Sequence, residues 1–596
     1  MKLLRFSAIL PFAFLLFQVA DRPAVGQAGA PQASAAIKLD QVGYLPAAPK
    51  VALVAADSPA GEFVVKRSPG GAVAFRGKLG PAVEDKDSGD KVQTADFTAF
   101  KTAGKYYLEV PGVGRSWEFS VDPNVYSRAF YLAMRAFYGQ RCGTAVDMGK
   151  EFPEYKHGAC HLQGAWHASS GKTGARPSAK GWHDAGDYGR YVVNSGITTG
   201  TLLWAYEMFP NRVRNVRLNI PETGNKTPDI LNEIKWNLDW MLTMQDEDGG
   251  VWHKQTSERF CGFVMPEKDD FVSYVIGTGR EPYKSSCATG DFAAVMAAAA
   301  RVYKPFQADF AADCLRAARK AFAWLEKNPS VMFNNPPPVA TGGYGDSSCA
   351  DEALWAAAEL WRATGDDRYD QYFVAHYNDF KNPPGRGRRG GAQPSEPPAL
   401  VRATNPQAWG SVANLGLWSY VLGKGKNADA VGAIRQASLQ AADEIVKRTA
   451  ALGYRDSMTT RDYIWGSSSV AANYGMQLLV ANAFQPDARY LDTALDNLHY
   501  LLGRNPFSMS YVTWVGSNSP HHPHHRPSGA DGVAEPWPGL VVGGPNAGRQ
   551  DPAMRKIPAS VPPAKAYIDD QEAYAANEVA INWQAPLVFL LAGALK

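Results

Sequence analysis

Residues 292–300 read FAAVMAAAA, an apolar run with no charged side chain on any face of the helix that it predicts. A helix on a protein surface carries polar residues along one face, whereas a helix that is apolar around most of its circumference is packed on several sides. The run therefore predicts a helix that is enclosed by other helices in a large helical domain.

Helical patterns of this kind recur throughout the chain after residue 122. Thr227 and Pro228 supply a cap and a first-position proline, and Ile230, Ile234 and Leu238 then follow at intervals of four. The periodicity predicts about twelve helices, which begin near Val125, Ile197, Thr227, Asp291, Asp313, Asp351, Asp370, Gln407, Gly432, Ser468, Arg489 and Ala575. We expect a helical toroid whose long loops gather at one end.

The segment 37–122 has a different pattern, in which short alternating runs are separated by Gly, Pro, Asp and Ser. The runs have the length of strands: VALV at 51–54, EFVV at 62–65, YYLEV at 106–110 and SWEFSV at 116–121. Several short strands at this spacing indicate a small antiparallel β-sandwich. We therefore expect a β domain over 37–122 and a mainly α domain over 123–596.

Composition excludes some classes of protein without naming a function. The chain has 596 residues, of which 45% are hydrophobic and 20% charged, and this is too apolar for a disordered protein. Its 61 basic and 58 acidic residues leave a net charge of +3 without a basic block, so we expect no nucleic-acid partner. The 16 Trp, 26 Tyr and 26 Phe suit flat ligands such as sugar rings, but a large core also uses them.

The first thirty residues resemble an export signal. Lys2 and Arg5 precede the apolar run 6–20, which is shorter than the ~20 residues that span a bilayer, and small residues at 28–30 offer a cleavage site. We expect residues 1–30 to be removed from a secreted or periplasmic protein that has no membrane segment afterwards; the alternative is an uncleaved anchor. The Pro/Gly/Arg stretch 382–398 is either a solvated loop or an anion site.

Three separated segments carry acids and histidines. GWHDAGDY at 181–188 places Asp184 and Asp187 three residues apart, in a setting that also fits an ordinary turn. PHHPHHRPS at 520–528 contains four of the eleven histidines of the chain. YAANEVA at 574–580 puts Glu578 beside apolar residues, and burial there would raise its pKa as a general acid requires.

The motifs DAGDY, HHRPS and NEVAINWQAPLV, in this order, resemble those of glycoside hydrolase family 9. IKLDQVGYL at 37–45 and ADF at 95–97 are similar to the immunoglobulin-like module that precedes the catalytic domain in many members. The resemblance covers nearly all of 37–596. It implies a mainly α protein, with an (α/α)6 barrel over 123–596 preceded by an all-β immunoglobulin-like sandwich.

The resemblance implies inverting hydrolysis of β-1,4-glycosidic bonds in cellulose or related β-glucans, as in an endoglucanase. Asp187 is then the general base, Asp184 helps to hold the water, and Glu578 is the general acid. Two acids one helical turn apart cannot flank a sugar ring from both faces, so a distant third acid is needed. The family often has Gly where Trp514 stands, which leaves open an exo-acting cellodextrinase, β-glucosidase or exo-β-glucosaminidase. A non-catalytic sugar-binding protein is the alternative from another class.

Five further residues match positions near the substrate in the family. His525 and Arg526 correspond to residues that hydrogen-bond the sugar, and Tyr574, Trp465 and His253 correspond to positions beside the cleft. Core packing is the competing interpretation for the aromatic residues, and a four-histidine metal site is the competing interpretation for the 520–528 loop.

Cys142, Cys160, His161 and His183 offer two thiolates and two imidazoles, a set that suits tetrahedral zinc. In an exported chain a Cys142–Cys160 disulfide is equally compatible with these residues. The family resemblance favours structural zinc beside the catalytic loop. For the remaining cysteines, a Cys314–Cys349 or a Cys261–Cys287 bridge can be drawn.

Ser347, Asp351 and Glu352 stand at the start of a predicted helix, where acids complement the N-terminal dipole. Their resemblance to a calcium loop of the family implies that they are oxygen ligands of a structural Ca²⁺ ion. We expect no organic cofactor. The expected partner is a β-1,4-linked polysaccharide or oligosaccharide, bound by a monomer.

Overall fold

The computed structural model describes residues 33–57, 61–381 and 398–596. The predicted export signal at 1–30 and all but the last residue of the arginine-containing stretch 382–398 lie outside the described residues. Within the described ranges, no helix is both long enough and apolar enough to cross a membrane.

The N-terminal part is an all-β unit built from nine strands: β1 (Ile37–Lys38), β2 (Gly43–Tyr44), β3 (Val51–Val54), β4 (Glu62–Arg67), β5 (Val73–Asp85), β6 (Asp90–Asp96), β7 (Gly104–Val110), β8 (Gly114–Arg115) and β9 (Phe119–Val121). The strand order is β1-β3-β6-β5-β4-β7-β9-β2, and β8 pairs with β7. The long β5 pairs with β4 through its first half and with β6 through its second, so it links two sheets. The predicted β-sandwich is confirmed.

The rest of the chain is mainly helical. Its helices are α1 (Ser127–Gly139), α2 (Val192–Met208), α3 (Pro210–Val213), α4 (Asp229–Thr243), α5 (Ser286–Tyr303), α6 (Ala308–Lys327), α7 (Ala350–Thr364), α8 (Asp367–His376), α9 (Ala413–Leu422), α10 (Ala428–Ala451), α11 (Ser467–Phe484), α12 (Ala488–Leu501), α13 (Arg526–Ala530), α14 (Tyr574–Asn577) and α15 (Ile581–Ala594). Twelve of these have ten or more residues and correspond to the twelve predicted helices.

The apolar helices pack against one another in an ordered series. Helix α15 contacts α2, α2 contacts α5, α5 contacts α7, α7 contacts α9, and α11 contacts α15. Helix α5 contains the run 292–300, and every residue of that run is buried. Helices α6 and α10 instead bury one stripe and expose the opposite face. The apolar circumference of α5 is therefore explained by neighbours on several sides.

Short strands lie in the loops between the helices: β10 (Val146–Asp147), β11 (Lys156–His157), β12 (Gln163–Trp166), β13 (Ala175–Pro177), β14 (Arg190–Tyr191), β15 (Lys254–Thr256) and β16 (Ser273–Ile276). Five of them form a sheet in the order β13-β12-β16-β15-β14. Strand β14 lies between the segment that carries Asp184 and Asp187 and the start of α2. The sheet that contains β14 therefore anchors this segment.

The β unit is joined to the helical part through buried polar contacts. Asp40 lies 2.8 Å from Nδ1 of His499 in α12, and both side chains are buried. The Lys38 ammonium donates to the main-chain oxygen of Pro506, and the Gln41 side chain accepts from the N–H groups of Ser517 and Asn518. These contacts fix the β unit against the helical part.

Candidate active site

Two segments from opposite ends of the helical part meet at the site. The N–H of Ile581 donates to the main-chain oxygen of Asp184 at 2.8 Å, and Ala185 pairs with Ala580 as an isolated antiparallel bridge. Glu578 follows α14 in an extended stretch, instead of beginning the last helix as predicted. All three predicted catalytic acids therefore come together.

Both oxygens of Asp184 are held by neutral donors. The amide of Asn194 donates to Oδ1 at 2.5 Å, and the hydroxyl of Tyr344 donates to Oδ2 at 2.6 Å. The side chain is 1% exposed. Burial and the nearby charge of Asp187 raise the pKa of Asp184 to about 8, although both hydrogen bonds oppose this shift.

The Asp187 carboxylate is held through one oxygen. Its Oδ2 accepts from the N–H of Gly189 at 3.0 Å and from the hydroxyl of Tyr191 at 3.1 Å. Asp187 also lines a pocket together with Tyr188, Phe260 and other residues of the 257–273 segment. The carboxylate is thus oriented at the wall of a cavity.

Glu578 is half-buried, and its backbone is fixed on both sides. It pairs in parallel with His524, and its main-chain oxygen accepts from the N–H of Gly543 at 2.9 Å. Burial and the charges of Asp187 and Asp184 raise the pKa of Glu578 well above the usual range of a carboxyl group. A carboxyl group whose pKa is raised in this way is suited to act as a general acid.

The histidine loop places its two central histidines differently from our expectation. His525 is buried, with its ring nitrogens near the Ser528 hydroxyl and the Gln140 side chain. His524 is partly exposed, and its ring lies 5.7 Å from that of Tyr574. Neighbouring residues in extended backbone point to opposite sides, so only one of the pair can face the site. Sequence reasoning missed His524 because both residues belong to the same motif.

Arg526 and its neighbours tie the histidine loop to the acidic turn. The buried guanidinium donates to the main-chain oxygens of Gly186 and Cys261. The cluster of metal-ligating side chains formed by Cys142, Cys160, His161 and His183 includes no residue of this loop. The structure therefore offers no support for a four-histidine metal site.

The aromatic candidates differ in exposure. Trp465 is 39% exposed, and its ring lies 5.5 Å from the partly exposed ring of Tyr574. Trp514 is 42% exposed, packs edge-on against Phe152 at 5.4 Å, and donates to the main-chain oxygen of Pro536. Trp465 and Tyr574 thus offer ring surface to a ligand near His524.

His253 lies in the interior instead of at the edge of a cleft. It is 1% exposed and stacks on Phe333 with 3.7 Å between ring centroids. Its Nδ1 lies 2.9 Å from the Ser285 hydroxyl, and its Nε2 lies 2.8 Å from the main-chain oxygen of Gly343. With both nitrogens engaged by the protein, the ring is not placed to contact a sugar.

A candidate metal centre adjoins the acidic turn. The ligand atoms of Cys142, Cys160, His161 and His183 all lie within 4.8 Å of one another. The Cys142 Sγ–His161 Nδ1 distance is 3.7 Å, and the Cys160 Sγ–His183 Nε2 distance is 3.6 Å. Tetrahedral zinc, with Zn–S near 2.3 Å and Zn–N near 2.0–2.1 Å, requires about 3.6 Å between S and N. The four residues therefore fit a metal of this kind.

The cysteine pairing corrects the sequence-based alternatives. Cys142 and Cys160 are free thiols, so the proposed bridge between them is not formed. Cys287 pairs with Cys349, which excludes both the Cys314–Cys349 and the Cys261–Cys287 bridges. The observed pair joins the start of α5 to the residue before α7, a contact that spacing along the chain does not reveal.

Buried acids cluster beside this disulfide. Asp351 and Glu352 are buried in the first turn of α7, whereas Ser347 is exposed. Asp291 of α5, which sequence reasoning missed, is fully buried, and neither its oxygens nor those of Glu352 have a hydrogen-bond donor in the described structure. Burial, followed by the charges of neighbouring acids including Asp351, raises the pKa of both Asp291 and Glu352 well above the usual range. A bound cation would satisfy such oxygens.

Comparison with known families assigns the two parts of the chain. Residues 126–591 match the model of glycosyl hydrolase family 9, and residues 32–115 match that of the cellulase N-terminal ig-like domain. The chain belongs to glycosyl hydrolase family 9. It is a glycoside hydrolase with an immunoglobulin-like domain at its N-terminal end.

Relatives of this family 9 chain have related activities. Endoglucanase D of Acetivibrio thermocellus is 39% identical over 94% of this chain and 83% of its own length. A cellodextrinase of Butyrivibrio fibrisolvens is 35% identical over 94% of this chain and 100% of its own length. The solved structure of AaCel9A in complex with cellobiose-like isofagomine is 33% identical, with a TM-score of 0.83 over 94% of this chain and 99% of that one.

Proposed function

We propose that this family 9 enzyme hydrolyses β-1,4-glycosidic bonds of cellulose or related β-glucans with inversion of configuration. The observation that carries this proposal is the meeting of Glu578, whose pKa is raised, with the pair Asp184 and Asp187. An inverting reaction needs one carboxylic acid and one carboxylate on opposite sides of the scissile bond. The names of the relatives, an endoglucanase and a cellodextrinase, support this substrate class.

In this mechanism Glu578 gives its proton to the glycosidic oxygen as the bond between that oxygen and C1 breaks. Asp187 takes a proton from a water molecule, whose oxygen forms the new bond to C1 from the opposite face. Asp184, oriented by Tyr344 and Asn194, holds the water beside Asp187. One water is added across the bond, and proton exchange with solvent restores both acids.

Endo action is our first proposal and exo action the second. Endoglucanase D supports cleavage within a chain, whereas the cellodextrinase supports an enzyme that trims short oligomers, like an exo-acting β-glucosidase or exo-β-glucosaminidase. A purely sugar-binding role is disfavoured, because a binding protein needs no buried acid of raised pKa. His524, Arg526, Tyr574 and Trp465 are proposed to line the substrate site.

We propose zinc for the site formed by Cys142, Cys160, His161 and His183, since two thiolates and two imidazoles at these distances suit that metal. A structural zinc supplies cross-linking and takes no part in the reaction. Because His183 directly precedes Asp184, the metal would brace the acidic turn. We propose Ca²⁺ for the acids Asp291, Asp351 and Glu352, whose oxygen donors suit a hard cation.

Several broader features are also proposals. The series of packed apolar helices supports closure into an (α/α)6 barrel over 123–596, with α2, α5, α7, α9, α11 and α15 inside. We propose an immunoglobulin-like domain over 37–122, a cleaved signal over 1–30, a secreted or periplasmic location and a monomeric state. The near-neutral charge is compatible with an uncharged polysaccharide partner.

The test is product analysis with cellopentaose, a soluble cellulose derivative and chitosan oligomers in parallel. Proton NMR at early times should show the α-anomer as the first product, because inversion of a β-linkage produces it. A rapid fall in viscosity of the cellulose derivative indicates endo action, and release of monomer or dimer from one end indicates exo action. Initial formation of the β-anomer would overturn the mechanism.

A further inference from the structure

We propose that Lys254 and His253 are positioning residues, which clamp residues 341–343 so that the hydroxyl of Tyr344 is aimed at Asp184. This inference rests on the role proposed above for Asp184. Both side chains are buried, so both would act through the tyrosine.

Lys254 places a buried ammonium against the backbone that precedes Tyr344. Its Nζ lies 2.7 Å from the main-chain oxygen of Gly342, 2.7 Å from the Asn335 side-chain oxygen, 3.1 Å from the Thr341 hydroxyl and 3.4 Å from the Thr341 main-chain oxygen, so its N–H groups are shared among four acceptors. Lys254 is 0% exposed. These acceptors are all neutral oxygens, and burial lowers the pKa of Lys254 to about 7. The charged form of Lys254 is therefore stabilised by its hydrogen bonds to the 341–342 segment, and these bonds hold that segment in place.

His253 extends the clamp by one residue. Because a carbonyl oxygen only accepts, the 2.8 Å contact means that Nε2–H of His253 donates to Gly343. Nδ1 then accepts from the Ser285 hydroxyl, which fixes the ring. Three consecutive carbonyls, those of residues 341, 342 and 343, thus accept hydrogen bonds from two adjacent side chains.

Tyr344 requires this support because its backbone is strained. Its φ is +43°, in the left-handed region that bulky residues avoid. Such a conformation persists only where the surroundings over-determine it, and it is common at functional sites. In this conformation the Tyr344 hydroxyl donates a 2.6 Å hydrogen bond to Oδ2 of Asp184.

Lys254 also lies near Tyr191, the residue that holds the second acid, Asp187. Lys254 lies 5.5 Å from the ring centroid of Tyr191, whose hydroxyl donates to Asp187. The rings of Tyr191 and Tyr344 pack edge to face at 4.9 Å. One buried lysine therefore lies against both tyrosine-containing parts that orient the acidic pair.

A double-mutant cycle tests the clamp. Tyr344→Phe, Lys254→Met and the double variant are compared on cellopentaose, with Lys284→Met as the matched control. Lys284 is another largely buried lysine, but it pairs with Asp246 and Asp248. We expect Lys254→Met to lower kcat about 10-fold with KM changed less than about 2-fold, and the double variant to stay within about 2-fold of Tyr344→Phe. The control should keep its kcat.

Two results would overturn the clamp: an unchanged kcat in Lys254→Met, or a double variant whose loss equals the product of the single losses. If thermal melting shows that Lys254→Met does not fold, Lys254→Gln, which keeps an amide donor, is judged by the same criterion. The failure of the proposed function is seen separately, because the wild type would then release no α-anomer or Glu578→Gln would remain fully active.

Discussion

The N–H of Ile581 donates to the main-chain oxygen of Asp184 at 2.8 Å, which ties the first residue of α15 to the turn before α2. The adjacent Ala185–Ala580 bridge strengthens this link. Helices α2 and α15 also pack against each other, so the link has a rigid base. The relative position of Glu578 and the acidic pair is therefore set by the backbone and not by flexible side chains.

Replacing Glu578, the proposed general acid, should separate chemistry from folding. We expect Glu578→Gln to lower kcat on cellopentaose by about 10²–10⁴-fold, because an amide cannot protonate the leaving oxygen. On an aryl cellobioside with an acidic phenol as leaving group the loss should be much smaller. Glu572→Gln, at an exposed position nearby, is the control and should keep full activity. Equal losses on both substrates would contradict the assignment.

Asp184 makes stability depend on pH in a defined direction. Its pKa of about 8 in the folded protein exceeds the value of about 3.9 for an unperturbed aspartate. Between these values the folded state keeps a proton that the unfolded state has released, so the free energy of unfolding contributed by this group falls as pH rises.

The asparagine in Asp184→Asn cannot ionise, so this variant should not lose stability at this position as the pH rises. Relative to the wild type, its melting temperature should rise between pH 4 and pH 8 and then level off, by on the order of 1 °C for each kcal/mol of stability that is recovered. Differential scanning calorimetry at several pH values measures the difference. A melting-temperature difference that does not vary with pH would rule out ionisation of Asp184 as its cause.

The proposed metal centre has a hydrogen-bond partner outside its four ligands. The Oδ2 atom of Asp269 lies 3.2 Å from Nε2 of His161, whose Nδ1 faces Cys142. Carboxylates in this position orient a ligating imidazole, so Asp269→Ala should weaken metal binding about 10–100-fold. Competition with a chromogenic zinc chelator measures this, and Asp270→Ala, at an exposed neighbour, is the control. Equal zinc affinities in the two variants would argue against the proposed site.

The proposed Ca²⁺ site predicts that Asp291→Asn has opposite effects on thermal stability, relative to the wild type, with and without calcium. In chelator-treated protein, Asp291→Asn should raise the melting temperature, because it removes repulsion among Asp291, Asp351 and Glu352. Added Ca²⁺ should stabilise the wild type by mass action and the variant much less. Thermal melts with Ca²⁺, with Mg²⁺ and with chelator measure both effects. A wild type that is indifferent to Ca²⁺ would exclude the site.

The two central histidines should behave differently when truncated. His524→Ala should change kcat/KM on cellopentaose with little change in melting temperature, since the ring is partly exposed beside Tyr574. His525→Ala should mainly lower the melting temperature, because it leaves the buried Oε1 of Gln140 without its hydrogen-bond donor. Steady-state kinetics and thermal melts of both variants decide, and the reverse pattern would restore His525 as the substrate contact.

Much of the local structure could be predicted from the sequence. Apolar periodicity located the twelve longer helices, because the spacing of side chains along a helix is a local property. The three acids were also recognisable, since the motifs that carry them are contiguous. Sequence did not reveal which histidine faces the site, because the direction of a side chain depends on how its loop pairs with Glu578.

By itself, the sequence determined the order of a β unit and a helical unit and the family, and it singled out Asp184, Asp187 and Glu578 as the candidate catalytic acids. Only the tertiary structure decided the Cys287–Cys349 pair, the buried position of His253 and the place of Asp291 beside α7. The physical reason is the distance along the chain over which each effect acts. Periodicity and motifs act within a few residues, whereas burial, pKa and cross-linking depend on which distant segments the packing brings together.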